Sequence, residues 1–228
     1  RDPLERGDVM MLAPLPAEVY VEGTTDVPII RSLLEAAQWQ VDASGIQVAR
    51  GVKNIRKRMS SHAQAAQYYP RILFVDGDHH CPKELRVEME GLSQITPVPT
   101  GLIIRVVDVC VESWILADRD GLAAFCGLSP SAIPDPVALG RMGSHKEVLL
   151  NVLSKARIKD VRKAMVRTTK GKLSFGPLYG RRLADFATRH WSAIRAAGHN
   201  DSLARALVRL TQLHDSLEGG CGQPSVRR

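Results

Sequence analysis

The sequence predicts an α/β fold with a mainly parallel sheet flanked by helices, followed by a basic helical C-terminal region. Between residues 17 and 127, strand-like and helix-like segments alternate four times, which is the order of a βαβ chain. The strand-like segments 71–76 and 102–109 are almost continuously apolar, as expected of strands buried on both faces of a parallel sheet. After a Pro- and Gly-rich stretch at 129–144, every segment has helical periodicity.

Local signals place the elements of this first part. Alternating β-branched residues predict a strand that ends at Gly23, and Thr24 or Thr25 as N-cap with Pro28 in the first turn predicts the helix that follows. The remaining predicted strands are 45–51, 71–76 and 102–109, and the remaining predicted helices are 52–69, 81–92 and 111–127.

The same signals divide the chain into four parts. We expect an N-terminal tail that is a candidate for a vector-derived extension, an α/β domain, a basic helical region and a disordered tail, at 1–16, 17–127, 128–218 and 219–228 respectively. Met10 or Met11 is a candidate for the natural start. No internal repeat is present in the sequence.

The charge of the chain is divided unequally along its length. The net charge is +7 overall, but residues 1–140 hold 13 Lys and Arg against 18 Asp and Glu, whereas residues 141–215 hold 16 against 5. This division suits a protein that acts on an anionic polymer, with one part of the chain holding the polymer and the other part modifying it. A solubilising basic surface is the alternative. We expect nucleic acid as the partner, DNA rather than RNA.

Cysteine usage and hydropathy indicate a cytoplasmic protein with no membrane partner. The four cysteines form no CxxC pair, so neither a zinc site nor a disulfide framework is predicted, and free thiols fit a reducing compartment. No run approaches the roughly 20 apolar residues that a membrane-spanning helix needs, and no signal-peptide segment is present.

Acidic residues follow three of the predicted strands. Glu22 closes the first strand, Asp26 lies four residues later, Asp76 and Asp78 close the third, and Glu112 follows the fourth. Since the carboxyl ends of parallel strands meet at one edge of a sheet, these acids are expected to lie together. A cluster of like charges needs a cation, and oxygen ligands without nearby Cys or paired His favour Mg²⁺ or Mn²⁺.

Two motifs resemble the Toprim domain of topoisomerases, primases and OLD-family nucleases. VYVEGTTD carries the Glu-Gly of that family, and ILFVDGD carries its Asp-x-Asp. The acid four residues after the Glu, together with VDVCVESWILAD, is most similar to the OLD branch and to its small stand-alone relatives that are often linked to phage defence. The resemblance covers roughly 17–127. The OLD family's ATPase is absent from this sequence, which has no GxxxxGK[ST].

The resemblance implies roles for these acids. Glu22 would act as general acid/base or metal ligand, Asp76 and Asp78 would bind metal, Asp26 would be the second acid of the OLD-type motif, and Glu112 would complete the set. A basic residue near the scissile phosphate is also implied, for which Lys146 and Lys172 are both candidates. It further implies a homodimer and a separate ATPase or other defence-system subunit as partners.

Basic residues form the predicted nucleic-acid surface. One group lies on a single face of the helix at 52–69 and the denser group follows residue 155, and the alternative for each is a solvated face or an acidic partner protein. The predicted contacts are Lys53, Arg56, Lys57, Lys155, Lys159, Arg162, Lys163, Arg167, Lys170, Arg181 and Arg182.

The leading functional hypothesis is Mg²⁺- or Mn²⁺-dependent endonuclease activity in phage defence or DNA repair. A topoisomerase would need a tyrosine nucleophile, and only Tyr179 is predicted to be exposed near substrate, with a packing role as its alternative. A primase would need a zinc module. The rival hypothesis is a non-catalytic, metal-binding subunit that binds nucleic acid or a partner within a defence complex.

Overall fold

The computed structural model of the chain describes residues 17–40, 45–78, 80–139, 142 and 144–220. Its strands are β1 Glu18–Val21, β2 Ile46–Val48, β3 Arg71–Asp76, β4 Leu102–Val107, β5 Val166–Thr169 and β6 Lys172–Phe175. Its helices are α1 Val27–Ala36, α2 Val52–Lys57, α3 Met59–Ala65, α4 Pro82–Gly91, α5 Val111–Ala117, α6 Arg119–Cys126, α7 Pro136–Leu139, α8 His145–Ser154, α9 Lys159–Met165, α10 Tyr179–Arg189, α11 Ala193–Ala197 and α12 Asp201–Gly220.

The main sheet has four parallel strands in the order β2-β1-β3-β4. Alternate residues of the strands face two separate cores. Phe74 and Ile103 pack against α1, α5 and the C-terminal helices, while Val75 and Ile104 pack against α2, α3 and α4. Because both faces are covered, the nearly continuous apolar runs of β3 and β4 are explained. The predicted α/β class with a parallel sheet flanked by helices is therefore confirmed.

The C-terminal helices complete one of these two cores. Leu183 and Phe186 of α10 and Leu203 and Leu210 of α12 are buried in the same cluster as Trp114 of α5. The indole N–H of Trp39 donates to the carbonyl of Leu210 over 3.0 Å. The basic region thus packs on the sheet, and the boundary at residue 128 stays a prediction.

Two predicted helices are each divided by a residue with non-helical backbone. The helix predicted at 52–69 is broken at Arg58 (φ −105°, ψ 8°), between α2 and α3. The helix predicted at 111–127 is broken at Asp118 (φ −88°, ψ 73°), whose carboxylate caps α6 by accepting from Gly121 N–H. The break depends on a hydrogen bond from the backbone to a capping carboxylate. Apolar periodicity does not report such a bond, so the sequence pattern did not reveal the break.

The prediction of helices alone after residue 144 is wrong, because β5 and β6 form an antiparallel hairpin there. Its turn is Lys170–Gly171, and both residues are in the left-handed region (φ 50° and 75°) as a two-residue hairpin turn requires. Helix α12 reaches Gly220, and the boundary predicted at 219 for a disordered tail stays a prediction. Residues 1–16 and 221–228 lie outside the described residues.

Among the described helices, membrane-spanning character is limited to one bent pair of segments. No individual helix there has both the length and the apolar character to cross a bilayer. One pair of segments would be long and apolar enough if taken together, judged by length and composition alone: Arg119–Cys126 and Pro130–Leu139. The two segments are bent by 100° relative to each other.

Candidate functional site

The five predicted acids interact electrostatically where β1, β3 and β4 end. Burial raises the pKa of Asp76 to about 8, and the carboxylates of Asp26, Glu22 and Glu112 add to the shift in that order. Asp78 also acts on Glu22. We call these five residues the acid end of the sheet. Among the described residues, no hydrogen bond reaches the Asp76 carboxylate, so nothing there offsets its burial except a single lysine.

Glu22 ties together the ends of two strands and the start of a helix. Its Oε1 accepts from the Asp76 N–H over 2.9 Å, and its Oε2 accepts from the Val52 N–H over 3.1 Å. Burial raises the pKa of Glu22, and Asp26 and Asp78 add to this, although the two hydrogen bonds oppose it. The carboxylate is thus fixed in position, with each oxygen retaining one lone pair.

Asp26 is fixed by the turn that joins β1 to α1. Its Oδ2 accepts from the Gly23 N–H over 2.8 Å. Burial raises the pKa of Asp26 and Glu112 adds to the shift, against the effects of that hydrogen bond and of Lys146. The Glu-Gly-x-x-Asp spacing therefore has a local structural explanation: Gly23 supplies the donor that orients the second acid.

The Asp-Gly-Asp segment continues the pairing of β3 with β4. Gly77 and Asp78 donate to the carbonyls of Val107 and Val109, both over 2.8 Å. A Cβ at position 77 would lie 2.8 Å from the Val107 oxygen, so only glycine fits. Asp78 is exposed and in the left-handed region (φ 46°), which Asp tolerates better than most residues. The two carboxylates thus differ in environment, one largely buried and one open.

Glu112 and Lys146 bring opposite charges to the acid end. Glu112 is 7 % exposed in the first turn of α5, and burial followed by Glu112 raises the pKa of the Cys110 thiol. Burial lowers the pKa of Lys146, but Glu112, Asp76 and Asp78 outweigh it, so that the pKa lies above its ordinary value. Of the two predicted lysines, Lys146 therefore lies at the site. Lys172 is exposed at the start of β6, and within the described residues no recorded interaction joins it to the acids.

Tyr179 differs from its predicted placement. It is buried at 5 % exposure, and its ring packs on Phe175 with the centroids 4.0 Å apart. Burial, with Glu112 and Asp26, raises the pKa of the phenol. Its Oη has no hydrogen-bond partner among the described residues. The exposed-nucleophile placement is wrong, and the packing alternative is confirmed; the hairpin that carries Phe175 is what covers the ring.

Asp118, part of the motif VESWILAD, lies outside the acid end. It is 1 % exposed and forms a two-point ion pair with Arg195, Nε to Oδ1 and Nη2 to Oδ2 both at 2.9 Å. The Ser192 N–H also donates to it over 2.7 Å. Asp118 therefore joins α6 to α11 and has a structural role.

Most of the predicted nucleic-acid contacts are exposed, and three are paired or bonded to the protein. Arg56 forms an ion pair with Glu88 at 3.1 Å, Arg182 forms one with Asp185 at 3.4 Å, and Arg162 donates to the Ala156 carbonyl. The remaining eight are exposed and form no ion pair with the described part of the chain: Lys53, Lys57, Lys155, Lys159, Lys163, Arg167, Lys170 and Arg181.

Comparison with known proteins gives a similarity to a solved structure. No family model matches the chain, and no curated protein matches it. Among solved structures, it is similar to the C-terminal region of the Burkholderia pseudomallei OLD protein, with a TM-score of 0.48 and 14 % identity over 86 % of this chain and 97 % of that one. A similarity of this size does not assign the chain to a family.

Proposed function

We propose that this chain hydrolyses phosphodiester bonds of nucleic acid at the acid end, with Mg²⁺ or Mn²⁺. The observation that carries the proposal is the charge on the acid end, where the half-buried Asp76 lies beside three other carboxylates and Lys146 offsets part of their charge. A group of carboxylates whose charge is only partly offset is costly to keep unless it serves a function. The Toprim-like motifs in the sequence support the same conclusion.

The residues present fit a hard divalent cation. Their donor atoms are carboxylate oxygens, which Mg²⁺ and Mn²⁺ prefer. No group of three or more His, Cys, Asp or Glu side chains within the described part of the chain is arranged to hold an ion. Mg²⁺ commonly uses one or two carboxylates together with water and substrate phosphate, so a complete protein shell is not required. Asp76 and Asp26 would hold the cation, with Glu22, Asp78 and Glu112 around them.

The proposed reaction would use the cation together with Glu22 and Lys146. The bound cation would act as a Lewis acid and lower the pKa of a bound water molecule. Glu22 keeps Asp76 in place through its backbone N–H, and its raised pKa brings it closer to the range in which a carboxylate exchanges protons at neutral pH. Lys146 is exposed and positively charged, so it can contact a phosphate oxygen that enters the site.

Nucleic acid is the proposed substrate because of the basic C-terminal region. The exposed cations of α9 and of the β5–β6 hairpin bind phosphate without reading sequence. Helix α8, which carries Lys146, packs against this hairpin. A nucleic-acid strand that contacts Arg167 and Lys170 would therefore pass near the acid end. DNA, a phage-defence or repair context, a homodimer and a separate ATPase subunit remain part of this proposal on the sequence resemblance alone.

One observation favours the rival function, a non-catalytic subunit that binds nucleic acid or a partner protein. Lys146 already offsets part of the negative charge, and both oxygens of Glu22 accept backbone hydrogen bonds. A lysine that stays bound to the acids would replace the cation instead of assisting it.

The test is cleavage of supercoiled plasmid and of RNA in Mg²⁺ or Mn²⁺ by the wild type, Asp76→Asn and Asp160→Asn. Asp160 is an exposed acid on α9 and serves as the matched control. We expect Asp76→Asn to reduce nicking by at least about 100-fold, with the control unchanged and DNA binding retained in all three. Equal cleavage by all three, or binding without cleavage of either substrate, would contradict the nuclease and, in the second case, favour the rival.

A further inference from the structure

A second charged feature lies at the edge of the sheet formed by β4. A cleft of about 340 Å³ lies between β4, the start of α4 and the start of α12. Four cationic side chains line it, and none of the described residues that line it is acidic. They are Lys83, Arg86, Arg105 and Arg205. None of the acid-end residues contributes to this cleft.

Arg105 is the central residue of this basic cleft. It is the one charged residue in the apolar strand β4, and its Nε is buried with no hydrogen-bond partner among the described residues. Burial, together with Arg205, Arg86 and Arg209, lowers the pKa of Arg105 to about 10. A guanidinium that is desolvated and surrounded by like charge is destabilising unless an anion binds beside it.

The neighbouring cations are only weakly neutralised. Arg86 pairs with Glu90 one turn away at 3.3 Å, and Arg205 lies 4.0 Å from Asp201, with both of the latter side chains mostly exposed. Exposed pairs of this kind contribute little and leave the guanidinium donors available. The positive charge of the cleft is therefore largely uncompensated.

The first turns of two helices contribute residues to the cleft. The ten-residue α4 begins at Pro82, and no side chain caps it. The twenty-residue α12 begins at Asp201, and its Ser202 hydroxyl accepts from the Asp108 N–H over 3.0 Å, which fixes the helix to the end of β4. Helix N-termini carry partial positive charge and favour anions, so they add to the effect of the four side chains.

We propose that the basic cleft binds a phosphate group. Arginine forks match the geometry of phosphate oxygens, and a doubly charged tetrahedral anion can accept from several donors at once. Pairing of the β4 edge with another copy of the chain is disfavoured, because it would bring the same cations together. The phosphate belongs either to a nucleic-acid backbone or to a free phosphate-bearing molecule. The inference does not depend on cleavage at the acid end.

The test is calorimetric titration of the protein with inorganic phosphate and, separately, with a short single-stranded DNA, in EDTA. Both titrations use the wild type, Arg105→Gln, Arg205→Gln and Arg189→Gln. Arg205 is exposed, so Arg205→Gln should fold and keeps the proposal testable if Arg105→Gln does not fold. Arg189 is an exposed arginine at the end of α10, outside the cleft, and serves as the control. Sodium chloride at matched ionic strength controls for general screening.

We expect Arg105→Gln to weaken phosphate binding at least about tenfold and Arg205→Gln about threefold, with Arg189→Gln unchanged. If the natural source is nucleic acid, DNA affinity falls by a similar factor in the same two variants. If it is a free phosphate compound, DNA affinity stays constant while phosphate affinity falls. Phosphate binding that is equal in all four proteins, or that chloride reproduces, would overturn the proposal. EDTA removes metal-dependent cleavage, so failure here is distinct from failure of the nuclease.

Discussion

The two ends of the parallel sheet carry similar numbers of polar groups but differ in how these groups are satisfied. At the amino ends of the strands, Arg71 contacts Glu18, Tyr20 and Tyr69, and the Tyr20 hydroxyl donates to Glu18 over 2.7 Å. The Arg71 guanidinium also lies 4.6 Å from the centroid of the Tyr69 ring. At the carboxyl ends, Asp76 has three carboxylates around it and no hydrogen bond to its side chain within the described residues.

This difference separates structural polar groups from candidate functional ones. The amino-end network pairs each charge with an opposite charge or a hydroxyl, which is how buried polar groups usually stabilise a fold. The acid end brings five carboxylates together, and Lys146 is the one cation recorded as acting on them within the described residues. The following three changes test this contrast, from the largest expected effect to the smallest.

Breaking the amino-end network is expected to have the largest effect on stability. Arg71→Met removes the only cation of this network, so that Glu18 keeps the hydroxyls of Tyr20 and Tyr69 as partners but loses its opposite charge among the described residues. Because the Glu18 side chain is 39 % exposed, we expect a loss of about 2–3 kcal/mol in the free energy of unfolding by urea, below the value for a fully buried pair. Arg182→Met, which breaks an exposed pair, should cost under about 0.5 kcal/mol. Equal losses would contradict the contrast.

Removing a charge at the acid end is expected to stabilise the metal-free protein. The folded state holds the Asp76 proton more tightly than the unfolded chain, so stability falls as the pH rises from about 4 to about 8. Asp76→Asn should therefore raise the free energy of unfolding by about 2 kcal/mol at pH 8 in EDTA and leave it nearly unchanged at pH 4. Urea titrations at both pH values measure this. Destabilisation at pH 8 would show that the Asp76 charge is already compensated.

The amino end should have the opposite and smaller pH dependence. Burial, with Arg71 and Arg58, lowers the pKa of His62 to about 4. The unfolded chain takes up the proton first, so stability is lost as the pH falls from about 6.5 towards 4. This effect is about 1 kcal/mol between pH 6.5 and 5.5. In His62→Leu, the loss of unfolding free energy between pH 6.5 and 5.5 should be smaller by this amount, as measured by thermal melts at a series of pH values. An unchanged slope would mean that His62 is accessible to protons in the folded state.

The sequence was sufficient for the parallel sheet and for the position of the acids. Apolar strands that end in Glu22 and Asp76 place those carboxylates at one edge whatever the helices do, because parallel strands share a direction. The choice between Lys146 and Lys172 could not be made, since it depends on how α8 packs on α5. The Lys170–Gly171 hairpin was missed because its polar residues also fit a basic helix, although a Lys-Gly turn between alternating residues was a usable signal.

Two further features depend on tertiary structure. Asp118 closes the same sequence motif as Glu112, but its contact with Arg195 spans 77 residues of sequence and could not be predicted from spacing. The basic cleft was also missed, because Lys83, Arg86, Arg105 and Arg205 come from three separate elements. The one local sign was an arginine within an otherwise apolar strand, and a residue of that kind indicates a binding site when its charge is left unpaired.

The most direct measurement of the central claim is Mn²⁺ binding at pH 7.5, followed by the electron paramagnetic resonance signal of the free ion. We expect the wild type to bind Mn²⁺ saturably, Asp160→Asn to bind it equally, and Asp76→Asn to bind it at least about tenfold more weakly. Competition by Mg²⁺ should release the bound Mn²⁺. The same affinity in all three proteins, or no saturable binding to the wild type, would contradict the account of the acid end as a cation site.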